Sequence, residues 1–122
     1  MSIDTFLKPP ANPGANGTAV VYDSTANNAQ GGVVAGNKID RRAAIAAYLD
    51  QNATLKVSFK ASGSVNWRPY NGTAGAGDTI TANTPFTQEY LLYGDDIKIE
   101  IDTVTAPTVW EVSCRMSPER AA

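Results

Sequence analysis

The chain has no histidine and a single cysteine, Cys114, in 122 residues. Without histidine it lacks the side chain that most often performs general acid–base work near neutral pH. One cysteine excludes an intrachain disulfide, and no imidazole is available to activate its thiol. Charge is scarce as well: Asp, Glu, Lys and Arg make up 18% of the residues, with a formal net charge of -2. The longest basic run is the pair Arg41-Arg42. That is no footprint for a phosphate backbone, so nucleic acid is not an expected partner. No apolar stretch approaches the roughly 20 residues of a spanning helix. The N-terminal "MSIDTFLKPPANPG" has neither the basic nor the apolar region of a signal peptide. No membrane partner is expected, and synthesis and folding in a reducing cytoplasm are. In that setting "NGT" at Asn16, "NAT" at Asn52 and "NGT" at Asn71 read as turn chemistry rather than glycan acceptors.

What is present is a period of two. In "ATLKVSFK", Leu55, Val57 and Phe59 fall on one side of a strand and Lys56, Ser58 and Lys60 on the other. "ASGS" follows as a turn, and Val65 to Tyr70 begins a second extended run, so a hairpin is expected. Ile97, Ile99 and Ile101 alternate with Lys98, Glu100 and Asp102; Trp110, Val112, Cys114 and Met116 alternate with Glu111, Ser113 and Arg115. "DRRAAIAAYLDQ" is ambiguous. Ala43, Ile45, Ala47 and Leu49 alternate, and "DQN" would turn the chain into the next strand as a hairpin. The alanine content, the four-residue spacing of Ile45 and Leu49, and Asp40 as an N-cap also fit a short helix. Strand is preferred because everything after it is β.

Short strands broken by turn signals predict an all-β fold, an antiparallel β-sandwich of jelly-roll-like form. The expected core is Leu55, Val57, Phe59, Trp67, Ile80, Phe86, Leu92, Ile97, Ile99, Ile101, Trp110, Val112 and Cys114. Residues 1–39 differ in composition: rich in Pro, Gly, Asn, Ala and Thr, with only the short apolar runs "AVVY" and "VVA". Two units are therefore expected, an extended N-terminal arm over 1–39 and a β-sandwich over 40–122. A core of that size without disulfide or metal favours a homo-oligomer.

Chemistry is hard to place on this chain. Asp95 and Asp96 are adjacent and so point to opposite faces of a strand. With Asp78 they do not follow a calcium-loop spacing. "GTAGAG" over 72–77 is G-x-x-G-x-G with no lysine after it, a connection rather than a phosphate loop. Cys114 lies on the apolar face of its strand, a small buried hydrophobe. No catalytic residue, metal or cofactor is expected, and the chain reads as non-enzymatic. Trp67 and Tyr70, at the end of the hairpin, are the candidates for an exposed ligand-stacking or interface platform, which leaves a carbohydrate-binding module as one alternative.

The hairpin carries a resemblance. "DQNATLKVSFKASGSVNW" resembles a pattern in small virion proteins of tailed bacteriophages: an Asp-Gln turn, a strand, a short turn, then Asn-Trp. "TAPTVWEVSCRMSPERA" looks like their closing strand and Arg-Ala tail, and "AGAGDTITANTPFTQEYLL" is similar to their middle strands. The likeness covers about residues 40 to 122. It implies a β-sandwich decoration (cement) protein that coats and stabilises a phage capsid, a virion structural protein that is often a trimer, with the major capsid protein and its own copies as partners. A tail or fibre accessory subunit is the neighbouring alternative. On this reading the arm clamps the capsid through Ile3, Phe6, Leu7, Val20, Val21, Tyr22, Val33 and Val34. For "AVVY" an edge strand completing the chain's own sandwich remains equally open.

Overall fold

In the computed structural model, which describes residues 5–6, 9–24, 41–61, 63–69, 77–92 and 96–118, the period-two runs become strands and no helix forms among the described residues. The strands are β1 (Thr5–Phe6), β2 (Thr18–Asp23), β3 (Arg41–Leu49), β4 (Ala53–Lys60), β5 (Arg68–Pro69), β6 (Asp78–Ile80), β7 (Phe86–Leu92), β8 (Asp96–Thr103) and β9 (Trp110–Pro118). They form a four-stranded sheet, β1-β9-β3-β7, and a five-stranded sheet, β2-β8-β4-β5, in which β6 also pairs with β4. All pairings are antiparallel and they nest: β1 with β9, β2 with β8, β3 with β7, and β4 with both β5 and β6. The pairs β3–β9 and β4–β8 close the roll. A long hairpin with its tip between β4 and β5, folded over and rolled up, has this connectivity. It is the jelly roll, an all-β sandwich.

One apolar core lies between the sheets. Ile97, Ile99 and Ile101 of β8 are fully buried, facing Leu55 of β4 in their own sheet and clustered with Ile45 and Leu49 of β3 and Val112 and Cys114 of β9. Val57, Phe59, Phe86 and Trp110 pack on its margin. The helical alternative for β3 fails because Ala43, Ile45, Ala47 and Leu49 are all buried while Arg42 and Ala46 are exposed, a period of two. Alanine favours helix over strand by intrinsic preference. Here ladders to β9 along one side and β7 along the other override it.

Three expectations change. "DQN" does not join a hairpin, because β3 and β4 lie in different sheets and residues 50–52 arch from one layer to the other. The residue 39/40 boundary does not separate an arm from a sandwich: residues 5–6 pair with β9, and Thr18–Asp23 is β2, an edge strand of the five-stranded sheet. A bulge at Val21, between the pairs Val20–Glu100 and Tyr22–Ile99, turns both Val21 and Tyr22 inward to zero exposure. Trp67 lies outside the core cluster. The side chain of Leu92 lies outside the described residues.

Hydrogen bonds gather the loops at one end of the roll. Asp50 accepts from the backbone N–H of Thr108 (2.9 Å) and of Val109 (3.1 Å), and from the Thr108 hydroxyl. Asn52 Oδ1 accepts from the Ala82 N–H at 2.7 Å, and Asn83, at φ 58°, donates its N–H to the Leu49 carbonyl at 2.7 Å. Asn12 Nδ2 donates to the Pro107 carbonyl at 2.7 Å, and Trp110 Nε1 to that of Pro10 at 2.8 Å. Pro9 and Pro10, which have no N–H to give, follow β1 where a longer strand would continue the ladder on β9.

Candidate functional site

The expected contact residues separate. Val21 and Tyr22 belong to the chain's own core, and burial removes them from any partner surface. The edge strand in cis is the arrangement found for "AVVY". Val20 is half-buried on the outer side of β2, and Phe6 pairs through its backbone with Arg115. Ile3, Leu7, Val33 and Val34 lie outside the described residues, as does Tyr70.

Trp67 is partly covered. It lies half-buried with the ammonium groups of Lys60 and Lys98 at 5.0 and 4.5 Å from its ring centroid. These cation–π contacts tie the ring to β4 and β8. The outer face of the five-stranded sheet continues in the same manner. Lys56 Nζ meets Asp102 Oδ2 at 2.7 Å, and the Thr18 hydroxyl donates to Asp102 Oδ1 at 2.7 Å. Burial pulls Asp102 upward, but the Lys56 and Thr18 hydrogen bonds outweigh it and leave the carboxyl below its ordinary pKa. Half-open ion pairs of this kind contribute about 0–1 kcal/mol to stability. Their effect is to leave the face internally satisfied.

Other ionisable groups also serve the scaffold. Asp50 is held below the usual carboxylate range by the Thr108 hydroxyl and the Val109 N–H. Tyr90 of β7 donates to Asp78 of β6, a bond between the two sheets; burial, then the Asp78 carboxylate, pushes the phenol upward. Burial pushes the Cys114 thiol up to about 12, as expected of an inward cysteine. Asp96 takes a long 3.5 Å bond from the Ser24 hydroxyl, so Asp78 and Asp96 sit in separate structural roles. Among the described residues no group of three His, Cys, Asp or Glu side chains is placed to hold a metal.

The outer face of the four-stranded sheet differs. A shallow trough of about 470 Å³ crosses it near the hydrogen-bonded end. Its floor is Ala46 in the middle strand, β3, with Ser113 of β9 on one side and Thr87 of β7 on the other. One row along, Tyr48 lies opposite Glu111. Pro9 and Pro85 rise at the two margins. Alternation dictates this set: the residues between the buried ones on β3 and β9 face out. None of Tyr48, Thr87, Glu111 and Ser113 makes a side-chain hydrogen bond or ion pair among the described residues. In the sequence Tyr48 is one of several aromatics that could stack a sugar, and the hairpin end draws the choice to Trp67 and Tyr70 instead. The available signal was Tyr48 at an outward position of a strand otherwise built of alanine.

No protein-family model matches the chain. No curated protein matches it either. Among solved structures, a chain from the Bacillus endospore appendages, a family of disulfide-linked pili, is similar over 96% of this chain and 84% of its own, with 13% identity and a TM-score of 0.49. PirA, known from a crystal structure, is similar over 96% of this chain and 91% of its own, with 13% identity and a TM-score of 0.45. At that identity and superposition neither likeness supports a statement about what this chain does.

Proposed function

We propose that this chain is a non-enzymatic structural subunit of a virion, binding the outside of a tailed-phage capsid and stabilising it as an oligomer, with a trimer favoured. The reading is supported first by the phage-like stretches at 50–67 and 105–121, which supply β4, its following turn and the closing strand β9. The observation that carries it furthest is the use of the polar groups. Asp50, Lys56, Asp78 and Asp102 hold loops and sheets together. Such a molecule acts by contact. The contacts cannot be disulfides between folded copies, because the only thiol is 2% exposed on the inner face of β9. Contact with the major capsid protein falls instead to surface loops and to the segments flanking β1 and β2, with Val21 and Tyr22 withdrawn from the contact set.

Purified particles of the virus encoding this chain should carry it on their exterior, detectable by mass spectrometry after limited surface proteolysis. The isolated protein should show a multiple of its monomer mass in light scattering. Particles devoid of the polypeptide overturn the capsid assignment, and a monomer at micromolar concentration overturns the oligomer.

A further inference from the structure

We propose that the trough on the outer face of the four-stranded sheet is a binding site for a neutral saccharide, with Tyr48 as its apolar platform and Glu111, Ser113 and Thr87 as its hydroxyl-recognising edge. Volume is the first argument. About 470 Å³ lies within the range of small-ligand clefts, and the trough is open along its length, as a chain of sugar rings requires. Charge is the second. Glu111 is the one carboxylate among its lining residues, which include no lysine or arginine. A phosphate, sulfate or uronate would meet an uncompensated carboxylate, so an anionic ligand is disfavoured. A carboxylate accepts from neighbouring hydroxyls, and the Ser113 and Thr87 hydroxyls can donate or accept.

The lining matches the two-sided chemistry of a pyranose ring, with an apolar C–H face and a polar rim. Tyr48 and the rings of Pro9 and Pro85 offer the apolar surface. Glu111, Ser113 and Thr87, without side-chain partners among the described residues, face the polar rim, so binding breaks no bond among those residues. The frame is also rigid. Ala46 and Tyr48 sit on the middle strand, and Ala46 is laddered on both sides. The Pro9 wall is anchored by the Trp110–Pro10 bond and the Pro85 wall by the Asn83–Leu49 bond. A site fixed before binding loses little entropy on occupation. The inference is independent of the capsid reading, since it concerns only what the trough recognises.

The test is an amide chemical-shift titration of the isotopically labelled full chain with maltotriose, cellotriose and chitotriose. At least one should shift the Ala46, Tyr48, Thr87, Glu111 and Ser113 amides with millimolar affinity. Tyr48→Ala should weaken that binding by about tenfold or more. Glu111→Gln, at an exposed position and nearly isosteric, should weaken it severalfold while keeping the free spectrum; it decides the matter if Tyr48→Ala does not fold. The proposal is overturned by no shift at about 50 mM of any of these sugars, by shifts confined to the Trp67 face, or by unchanged affinity in Glu111→Gln. A proline-containing peptide that shifts the same amides where the sugars do not would also overturn it, and would assign the trough to peptide.

Discussion

Removing residues 1–24 should unfold the sandwich rather than free it of an arm. Val21 and Tyr22 have zero exposure and Ala19 has 4%. Burying a side chain the size of valine or larger contributes about 1.5–3 kcal/mol. Besides the β2–β8 ladder and the Thr18–Asp102 bond, four further bonds tie the segment to β8 and the loop after it. The Ser24 N–H donates to the Ile97 carbonyl at 2.9 Å, and the Ile97 N–H to Ser24 Oγ at 2.8 Å. The Thr103 N–H donates to the Gly17 carbonyl at 2.9 Å, and the Asn16 N–H to that of Val104 at 3.0 Å. Each is worth roughly 1 kcal/mol net. Without β2, one edge of β8 also opens to water. The loss is on the order of 8–10 kcal/mol, comparable with the 5–15 kcal/mol that holds most domains folded. Urea denaturation followed by tryptophan fluorescence and near-UV circular dichroism reads the outcome. The truncated chain should lack a cooperative transition, and Tyr22→Ala should lower stability by about 3–5 kcal/mol as a milder version. A truncated chain that unfolds cooperatively at the full chain's midpoint, with the same dependence on urea, would refute the reasoning and restore a detachable arm.

Three further outcomes follow from the same packing. Ile99→Ala, at a fully buried position, should cost about 3–4 kcal/mol in urea titrations, while Val65→Ala, at 86% exposure, should stay within about 0.5 kcal/mol; equal effects would contradict the core assignment. Asp50 and Asp102 have folded pKa values below the 3.8 of the free side chain, so their stabilisation is complete above that value and lost as pH falls through the folded values. The urea midpoint should therefore drop below about pH 4, less steeply in Asp50→Asn, and parallel slopes would remove Asp50 from the linkage. Cys114, buried and with its thiol pushed up to about 12, should resist a disulfide reagent at mildly alkaline pH until the protein is unfolded, and immediate native-state labelling would contradict its placement.

The strands were legible because alternation is a local property. β4, β8 and β9 announce themselves in single runs of eight or nine residues, and Ile97, Ile99 and Ile101 face inward as their spacing predicts. Their partners are not local. Thr5 pairs with Met116 and Thr18 with Asp102, and no spacing rule relates such positions. A three-residue "DQN" serves a hairpin or an arch equally well; the choice depends on β9 and β7 flanking β3 while β8 flanks β4. For "AVVY" the sequence leaves partner contact and an edge strand equally open, because a bulge, invisible in sequence, turns two successive residues inward. The surroundings of Trp67 are non-local in the same way, since Lys60 and Lys98 reach its ring from separate strands. The trough was hidden because its residues come from three strands and from both ends of the chain.

The two outer faces place a constraint on any assembly this subunit enters. On the five-stranded sheet, Lys56, Thr18 and Asp102 satisfy one another and the two lysines cap Trp67. A partner docking flat there must desolvate charges that already have partners, and the gain must exceed that cost. On the four-stranded sheet the Tyr48–Glu111 trough is open and its polar groups are unengaged among the described residues. A subunit that both grips a shell and recognises saccharide has to keep the second face toward solvent. Shell contact is then directed to the loop-bearing ends of the roll and to the N-terminal residues preceding β2. A particle reconstruction in which the capsid covers Tyr48 and Glu111 would make the two roles mutually exclusive, and one of them would have to be abandoned.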